Sequence, residues 1–237
     1  MKICSQDMLV GHNQLLIVVT ENWTDYQGRL HFFERSNNHS PWISMETSIP
    51  VVLGKNGLAW GIGLHSKEIN NLLPFKQEGD LKSPAGIFSL GPAFGFAPIE
   101  EMKHLKIDYL SINSFTEAVD DPLSHYYNQI VNSQKIIPDW NSSEKMSEEP
   151  LYAFGLVINH NYPNPQPKLG SAIFFHIWKS NQKGTAGCTA MSDENLSKLL
   201  FWLDKNKNPL LIQMPLKTYL NFEIKWNFPS INPSTNY

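Results

Sequence analysis

Short runs of β-branched and aromatic residues, separated by Gly, Pro and Asn, recur along the whole chain. Runs of this composition, bounded by turn-forming residues, are typical of β-strands. Both faces of the strand near residue 175 are apolar, as in the central strand of a sandwich or barrel. The pattern predicts strands over 15–20, 30–35, 50–54, 85–91, 151–159, 171–178 and 210–215.

One later segment has helical rather than alternating spacing. Ser192 is placed to cap its first turn, where Asp193 and Glu194 face the positive end of the helix dipole. Pro209 prevents the helix from continuing past "KNKNP". The apolar stripe that predicts this helix is formed by Leu196, Leu199, Leu200 and Leu203.

The segment from about 98 to 150 has a different, more polar pattern. Two stretches, "EEMKHLKIDYL" and "DPLSHYYNQIVNS", are expected to form short helices. The apolar content is too low for an independent core, so we expect an insertion that caps a β core. The fold class predicted is mainly β, a sandwich or barrel with few short helices and an inserted cap. The chain, 1–237, is then a single domain with its core at about 13–216 and a loosely held tail at 217–237.

Composition excludes several classes of function. Of the 237 residues 41% are hydrophobic and 17% charged, and the net charge is -3. Lys and Arg are scattered, which argues against nucleic acid as a partner. No stretch approaches the ~20 apolar residues of a membrane span. The run "LLIVV" at 15–19 is too short for a signal-peptide core, so no export signal is visible. The oligomeric state is not indicated.

Two cysteines, Cys4 and Cys188, are too few for a disulfide framework. No C-x-x-C or His-x-x-x-His pair offers zinc ligands. We therefore expect neither a metal nor a cofactor.

The stretch "FFHIWKSNQKGTAGCTAMS", 174–192, carries the candidate chemistry. His176 shares one face of its strand with Ala172, Phe174 and Trp178. In the turn that follows, Gly187 permits unusual backbone angles and leaves space beside the sulfur of Cys188. A thiol has a pKa of roughly 8.5 and needs a partner to become a thiolate. His176 could be that partner through a hairpin-like return, but it could equally be a core histidine beside an inert thiol.

The segments "SAIFFHIW" and "GTAGCTAM" resemble the catalytic signature of the YkuD-type L,D-transpeptidases, in which a strand histidine precedes a [Ser/Thr]-His-Gly-Cys turn. The resemblance extends in order from about residue 13 to about 215. It implies a mostly β catalytic domain. The other segments that carry it are "QLLIVVTENW", "PVVLGKNGLAWGIGLH", "EGDLKSPAGIFSLGPAFGF", "AVDDPLSHYYNQIV" and "LYAFGLVINHN".

The resemblance implies that a cysteine attacks the bond between the diamino acid and the terminal D-Ala of a peptidoglycan tetrapeptide stem. D-Ala leaves and a thioester forms, which an amine of a second stem converts to a cross-link or water to a shortened stem. By position, Cys188 matches the nucleophile and His176 the general base. Gly187 matches the glycine of the oxyanion turn, and Thr185 opens that turn. Carbapenem-type inhibitors are expected to acylate such a site.

One departure from the family pattern is Ala186, which stands where a second histidine is common. It leaves an L,D-carboxypeptidase as an alternative to the transpeptidase. Two further alternatives are a non-catalytic wall-binding module and an exported effector that acts on another amide. The substrate implies a periplasmic or wall-facing location and a role in cell-wall biogenesis and cell shape, although no signal peptide is visible.

Five further residues are candidates for substrate binding, each with a structural alternative. Lys82 could meet a substrate carboxylate or be a solvated turn lysine. Asn161 and Tyr162 could reach the site from a strand end or close a turn. Tyr127 could form part of a lid or anchor the insertion, and Trp178 could border the cleft or belong to the core.

Overall fold

The computed structural model describes residues 8–45, 48–65 and 74–231, so Cys4 lies outside the described residues. Two α-helices occur in these ranges, α1 (Asp193–Trp202) and α2 (Leu216–Trp226). The strands are β1 (Gln14–Thr20), β2 (Gln27–Glu34), β3 (Ile43–Ser44), β4 (Ile49–Val52), β5 (Leu58–Trp60), β6 (Ser83–Gly95), β7 (Tyr109–Ser111), β8 (Thr116–Val119), β9 (Ile130–Asn132), β10 (Ser143–Lys145), β11 (Phe154–Ile158), β12 (Phe174–Ile177), β13 (Thr189–Met191) and β14 (Leu210–Pro215).

A closed β-barrel forms the centre of the molecule. Its strands pair in the order β1-β14-β6-β11-β12-β13-β4-β2, and β2 pairs back with β1 to close the ring. Closure leaves none of these strands with a free edge. β3 extends β2, while β5 and β7 add to β6. The mainly β fold predicted from the sequence is confirmed.

The core lies inside the barrel and beneath α1. Every residue of β1 and β14 is buried, as expected for strands that read as continuous apolar runs. Helix α1 begins as predicted, because the Ser192 side chain accepts the N–H of Asn195 at 3.3 Å. Its apolar face, with Leu196, Leu199 and Leu200, is completely buried.

The insertion does not form the short helices that were predicted from its sequence. Its first part forms turns and β7, and its second part forms a separate sheet in the order β10-β8-β9. The Asp121 carboxylate accepts the N–H groups of Leu123 and Asn141, which closes a turn where a helix was expected. Asn128 has a φ of 61°, which also ends helical geometry. We call β8–β10 and the two 3-10 turns that follow, Met146–Glu148 and Pro150–Tyr152, the cap.

The C-terminal segment is also more ordered than predicted. Instead of a loose tail from residue 217, α2 packs against the barrel with Tyr219 and Trp226 buried. The Tyr219 hydroxyl donates to the Pro229 carbonyl at 2.5 Å. Phe228 and Ile231 continue the main core, because the segment supplies aromatic residues at helical spacing. Residues 232–237 lie outside the described part of the chain.

Candidate active site

His176 and Cys188 are carried by two neighbouring parallel strands. His176 of β12 lies opposite Gly155 of β11 and Ala190 of β13, and Cys188 directly precedes β13. The connection from 178 to 188 is therefore a crossover between parallel strands rather than the hairpin-like return expected from the sequence. His176 and Cys188 are nevertheless close to each other, because β13 pairs directly with β12 and Cys188 stands immediately before β13.

The Cys188 thiol is held in a small apolar cluster between the barrel and the cap. The sulfur accepts the Phe174 N–H at 3.3 Å, and the thiol donates to the Ala172 carbonyl at 3.4 Å. Cys188 is 8% exposed. Burial raises the pKa of the Cys188 thiol to about 12, and the charge of Glu144 acts in the same direction. The thiol is therefore protonated at neutral pH. The cluster consists of Phe94, Ile112, Ala118, Met146, Tyr152, Phe174 and Cys188.

The tautomer of His176 follows from its hydrogen bond. Nδ1 lies 2.7 Å from the Ile177 carbonyl oxygen. Because a carbonyl only accepts, Nδ1 carries the proton and Nε2 is left as the basic nitrogen. Burial lowers the pKa of His176, and this hydrogen bond offsets part of the effect. At rest the pair is thus a neutral thiol and a neutral imidazole, and no hydrogen bond joins them among the described contacts.

The turn before Cys188 is fixed by two hydroxyl groups. Thr185 Oγ1 and Ser83 Oγ both donate to the Cys188 carbonyl, at 2.6 and 3.0 Å. Ser83 in turn accepts the Gly54 N–H at 2.8 Å, and Thr185 accepts the Gly187 N–H at 3.1 Å. This network links the turn to β6 and to the end of β4. Ser83 was not a candidate from the sequence, although it stands in the quoted "KSPAG" segment.

Gly187 allows a close approach of neighbouring groups and does not adopt unusual backbone angles. Its φ is not among the positive values, so the prediction of a strained conformation is wrong. A Cβ at this position would lie 3.3 Å from Ile173 Cδ1 and 3.3 Å from the Lys82 carbonyl oxygen. The Cys188 N–H donates to no acceptor in the described part of the chain, whereas the Gly187 N–H is occupied by Thr185. Ala186, where a second histidine is common, is exposed.

A groove of about 790 Å³ runs between the cap and the barrel. Ala172 and Phe174, whose backbone groups hold the thiol, form part of its wall, whereas Cys188 and His176 are not among its lining residues. Apolar residues of the cap and of β11 line it. Its polar lining includes Gln129 and Asn159. The dimensions suit a peptide-sized ligand.

The predicted binding residues occupy different environments. Asn161 and Tyr162 line the groove. Asn161 is fully buried, and its side chain bonds Gln166 and Gly170, so it also holds the loop from 161 to 170. Tyr162 is 59% exposed.

The other three predicted binding residues do not line the groove. The buried Tyr127 hydroxyl donates to Glu78 at 2.6 Å, which anchors the insertion. Trp178 follows the last residue of β12 and packs against the main core. Lys82 is half-buried, and its N–H donates to Asp80.

Lys76, Tyr152 and Glu144 act on Cys188 or lie near it, and none of them was predicted from the sequence. Lys76 is 4% exposed and pairs with Asp80 at 2.6 Å, and its charge favours the thiolate of Cys188. Tyr152 lies in the same cluster as Cys188, and its hydroxyl donates to Glu144 at 2.6 Å. The sequence gives no indication that Lys76 and Glu144 lie near Cys188, because both stand in polar stretches and reach the site only through the folding of the chain.

The described ranges contain neither a metal-binding cluster nor a membrane-spanning helix. No group of three or more His, Cys, Asp and Glu side chains there is arranged to hold a metal ion. Among the described helices, neither is long and apolar enough to cross a membrane.

One comparison with known protein families agrees with this architecture. The family model of the YkuD L,D-transpeptidase catalytic domain matches residues 27–212. Among solved structures, the helical cell shape determining protein Pgp2 from Campylobacter jejuni is 20% identical, with a TM-score of 0.39. That alignment covers 86% of this chain and 48% of the other, so this chain spans about half the length of that structure. No curated protein sequence matches. Because the family model spans well over half of the chain and confirms the family predicted from the sequence, this protein belongs to the YkuD family of L,D-transpeptidase catalytic domains.

Proposed function

We propose that the protein is a cysteine acyltransferase acting on peptidoglycan tetrapeptide stems, with Cys188 as nucleophile and His176 as general base. The observation that carries this proposal is the position of Cys188 at the start of β13, beside the strand that presents His176. Both residues lie within the region matched by the family model. The free Nε2 of His176 has the protonation state that a base requires.

The acylation step transfers one proton and exchanges one bond. His176 Nε2 takes the proton of the Cys188 thiol as the sulfur attacks the carbonyl carbon of the diamino acid. The C–N bond to D-Ala breaks, and the imidazolium returns the proton to the departing amine. A thioester and free D-Ala result. The Cys188 N–H, which has no acceptor at rest, supports a role as an oxyanion donor.

The resting protonation states favour a mechanism in which substrate binding precedes thiolate formation. A thiol with a pKa of about 12 is almost wholly protonated near neutral pH. Proton transfer is therefore coupled to attack, in a site from which the stem displaces water. The groove beside Ala172 and Phe174 supplies the approach, with Asn161 and Tyr162 on its wall.

The acceptor decides between two reactions of the same thioester. An amine of a second stem gives a cross-link and makes the protein an L,D-transpeptidase. Water gives a tripeptide and makes it an L,D-carboxypeptidase. The exposed Ala186 supplies no second imidazole to activate either acceptor. Either reaction would act on the cell wall, so we expect the protein to work outside the cytoplasm. Its activity would then contribute to wall remodelling and to cell shape.

The test is incubation with purified tetrapeptide muropeptides and analysis of the products by mass spectrometry. Cys188→Ala and His176→Ala are compared with the unmutated protein, and Cys4→Ala serves as the matched control for loss of a thiol. We expect release of D-Ala by the unmutated protein and by Cys4→Ala, and none by the two active-site variants. Tripeptide indicates hydrolysis and a linked dimer indicates transpeptidation.

Two results would contradict the proposal. Folded protein that releases no D-Ala and forms no covalent adduct with a carbapenem would indicate a wall-binding module or another amide substrate. D-Ala release that persists in Cys188→Ala would assign the chemistry to a different residue.

A further inference from the structure

Tyr152 of the cap lies directly against His176. The two rings are 5.5 Å apart at 73°, an edge-to-face contact. Tyr152 makes the same type of contact with Phe174, at 5.6 Å and 86°, and with Phe94, at 5.7 Å and 79°. With 6% of its surface exposed, this ring forms the wall that the cap places against the imidazole.

The hydroxyl of Tyr152 ties this wall to a charge. It donates to Glu144 Oε2 at 2.6 Å, so one 3-10 turn of the cap is joined to β10. A short hydrogen bond to a carboxylate is stronger than one between neutral groups. Glu144 as a residue is solvent-exposed, and Tyr152 is the only described hydrogen-bond partner of its carboxylate. The bond therefore holds the carboxylate on the side of the cap that faces the cysteine and histidine.

His176 has no carboxylate partner of its own. Its Nδ1–H is used by the Ile177 carbonyl, and none of the described carboxylates hydrogen-bonds the ring. The Glu149 charge nevertheless raises the pKa of His176, and Glu144 raises that of Cys188. Both carboxylates come from the cap. A negative charge here disfavours the thiolate at rest and favours the imidazolium that forms during attack.

We infer that Tyr152 and Glu144 form a positioning pair that orients the His176 ring: Tyr152 packs against the imidazole, and Glu144 holds Tyr152 in place. The inference rests on the proposed function, since it concerns the same cysteine and histidine. The cap is then part of the catalytic apparatus as well as a cover for the groove.

The test uses Tyr152→Phe, Glu144→Gln and the double variant of the full chain. Tyr109→Phe is the matched control, because its hydroxyl bonds the Ala97 carbonyl away from the cysteine. Glu148→Gln is the control for loss of an exposed cap charge. Two quantities are measured: kcat and KM for D-Ala release from tetrapeptide, and the pH dependence of Cys188 alkylation by iodoacetamide in a Cys4→Ala background.

We expect kcat to fall about tenfold to a hundredfold in each single variant with little change in KM, as for a misplaced catalytic group. The double variant should be no slower than the slower single variant, because the two residues act as a unit. Removing the Glu144 charge should lower the pKa of Cys188 and so raise the alkylation rate at each pH below it. His176 and Lys76, the other groups that face the thiol, are unchanged in this variant. Neither control should show these effects.

Unchanged kcat and an unchanged alkylation profile would overturn the inference. So would a rise in KM alone, which would make the pair a substrate wall. If Tyr152→Phe does not fold, Glu144→Gln decides, because Glu144 is a residue at the surface of the cap and Gln keeps its shape. If the unmutated protein releases no D-Ala, the proposed function fails while the alkylation profile still decides on the pair: a shift in Glu144→Gln supports it, and no shift overturns it.

Discussion

The buried thiol should make Cys188 unreactive toward small electrophiles in the absence of substrate. Its pKa is raised from an ordinary value of 9.0 to about 12. At pH 7.5 the thiolate fraction falls from about 3 in 100 to about 3 in 100,000, a thousandfold loss. Since the thiolate is the nucleophile, alkylation by iodoacetamide should be slower by about that factor than for an unstructured cysteine peptide.

The assay follows alkylation of Cys188 by mass spectrometry from pH 7 to 10 in a Cys4→Ala background. The rate should rise about tenfold per pH unit without a plateau, because the whole range lies below the pKa. The same protein unfolded in urea is the control, and its alkylation rate should reach half of its maximum near pH 9 and level off above that pH. A plateau at pH 7 to 8 in the folded protein would refute the reasoning and would mean that His176 already holds the proton of a resting thiolate.

Three further predictions concern the turn and the cap. Gly187→Ala should reduce D-Ala release at least tenfold with only a small change in melting temperature, because the new Cβ would press on Ile173 and Lys82. Full activity of this variant would show that the turn can shift to make room. Ser83→Ala should lower the free energy of unfolding by about 1–3 kcal/mol, since it leaves the buried Gly54 N–H without its acceptor. Urea denaturation measures this difference. An unchanged free energy of unfolding would mean that water replaces the hydroxyl. Burial alone would raise the pKa of Glu117, but hydrogen bonds lower it to about 2; the donors are Lys145, Ser143, Ser133 and Trp140. The contribution of Glu117 to stability is therefore complete above pH 4.5 and is lost as the pH falls through 2. Acid titration of Glu117→Gln should lack this loss, and identical acid transitions in both proteins would contradict it.

The periodic parts of the sequence predicted the barrel well. β14 was predicted with its observed bounds, and α1 with its Ser192 cap. These elements carry strong local signals, an unbroken apolar run and a capped apolar stripe. The cap was predicted wrongly because its local sequence is compatible with short helices. Its turns are decided by side-chain bonds such as those of Asp121, which no periodicity reveals.

The candidate site was predictable to a similar extent. The spacing of His176 and Cys188 pointed to a pair, but the parallel pairing of β12 and β13 follows from the closed barrel, not from the segment itself. Ser83 and Tyr152 are far from Cys188 in sequence and meet it only through strand register and the folding of the cap. Residue types alone give no signal for such contacts.

The crossover between β12 and β13 has a consequence for how this family can diversify. Its two ends are fixed to the barrel, by the Trp178 N–H on Met191 and by the paired bonds of Thr185 with Leu53 and Lys55. The residues between, 179–183, are exposed. Insertions there would lengthen the loop without moving the cysteine, at an entropic cost that grows slowly with length. The number of residues between the histidine and the cysteine can therefore vary among relatives while the two side chains keep their positions.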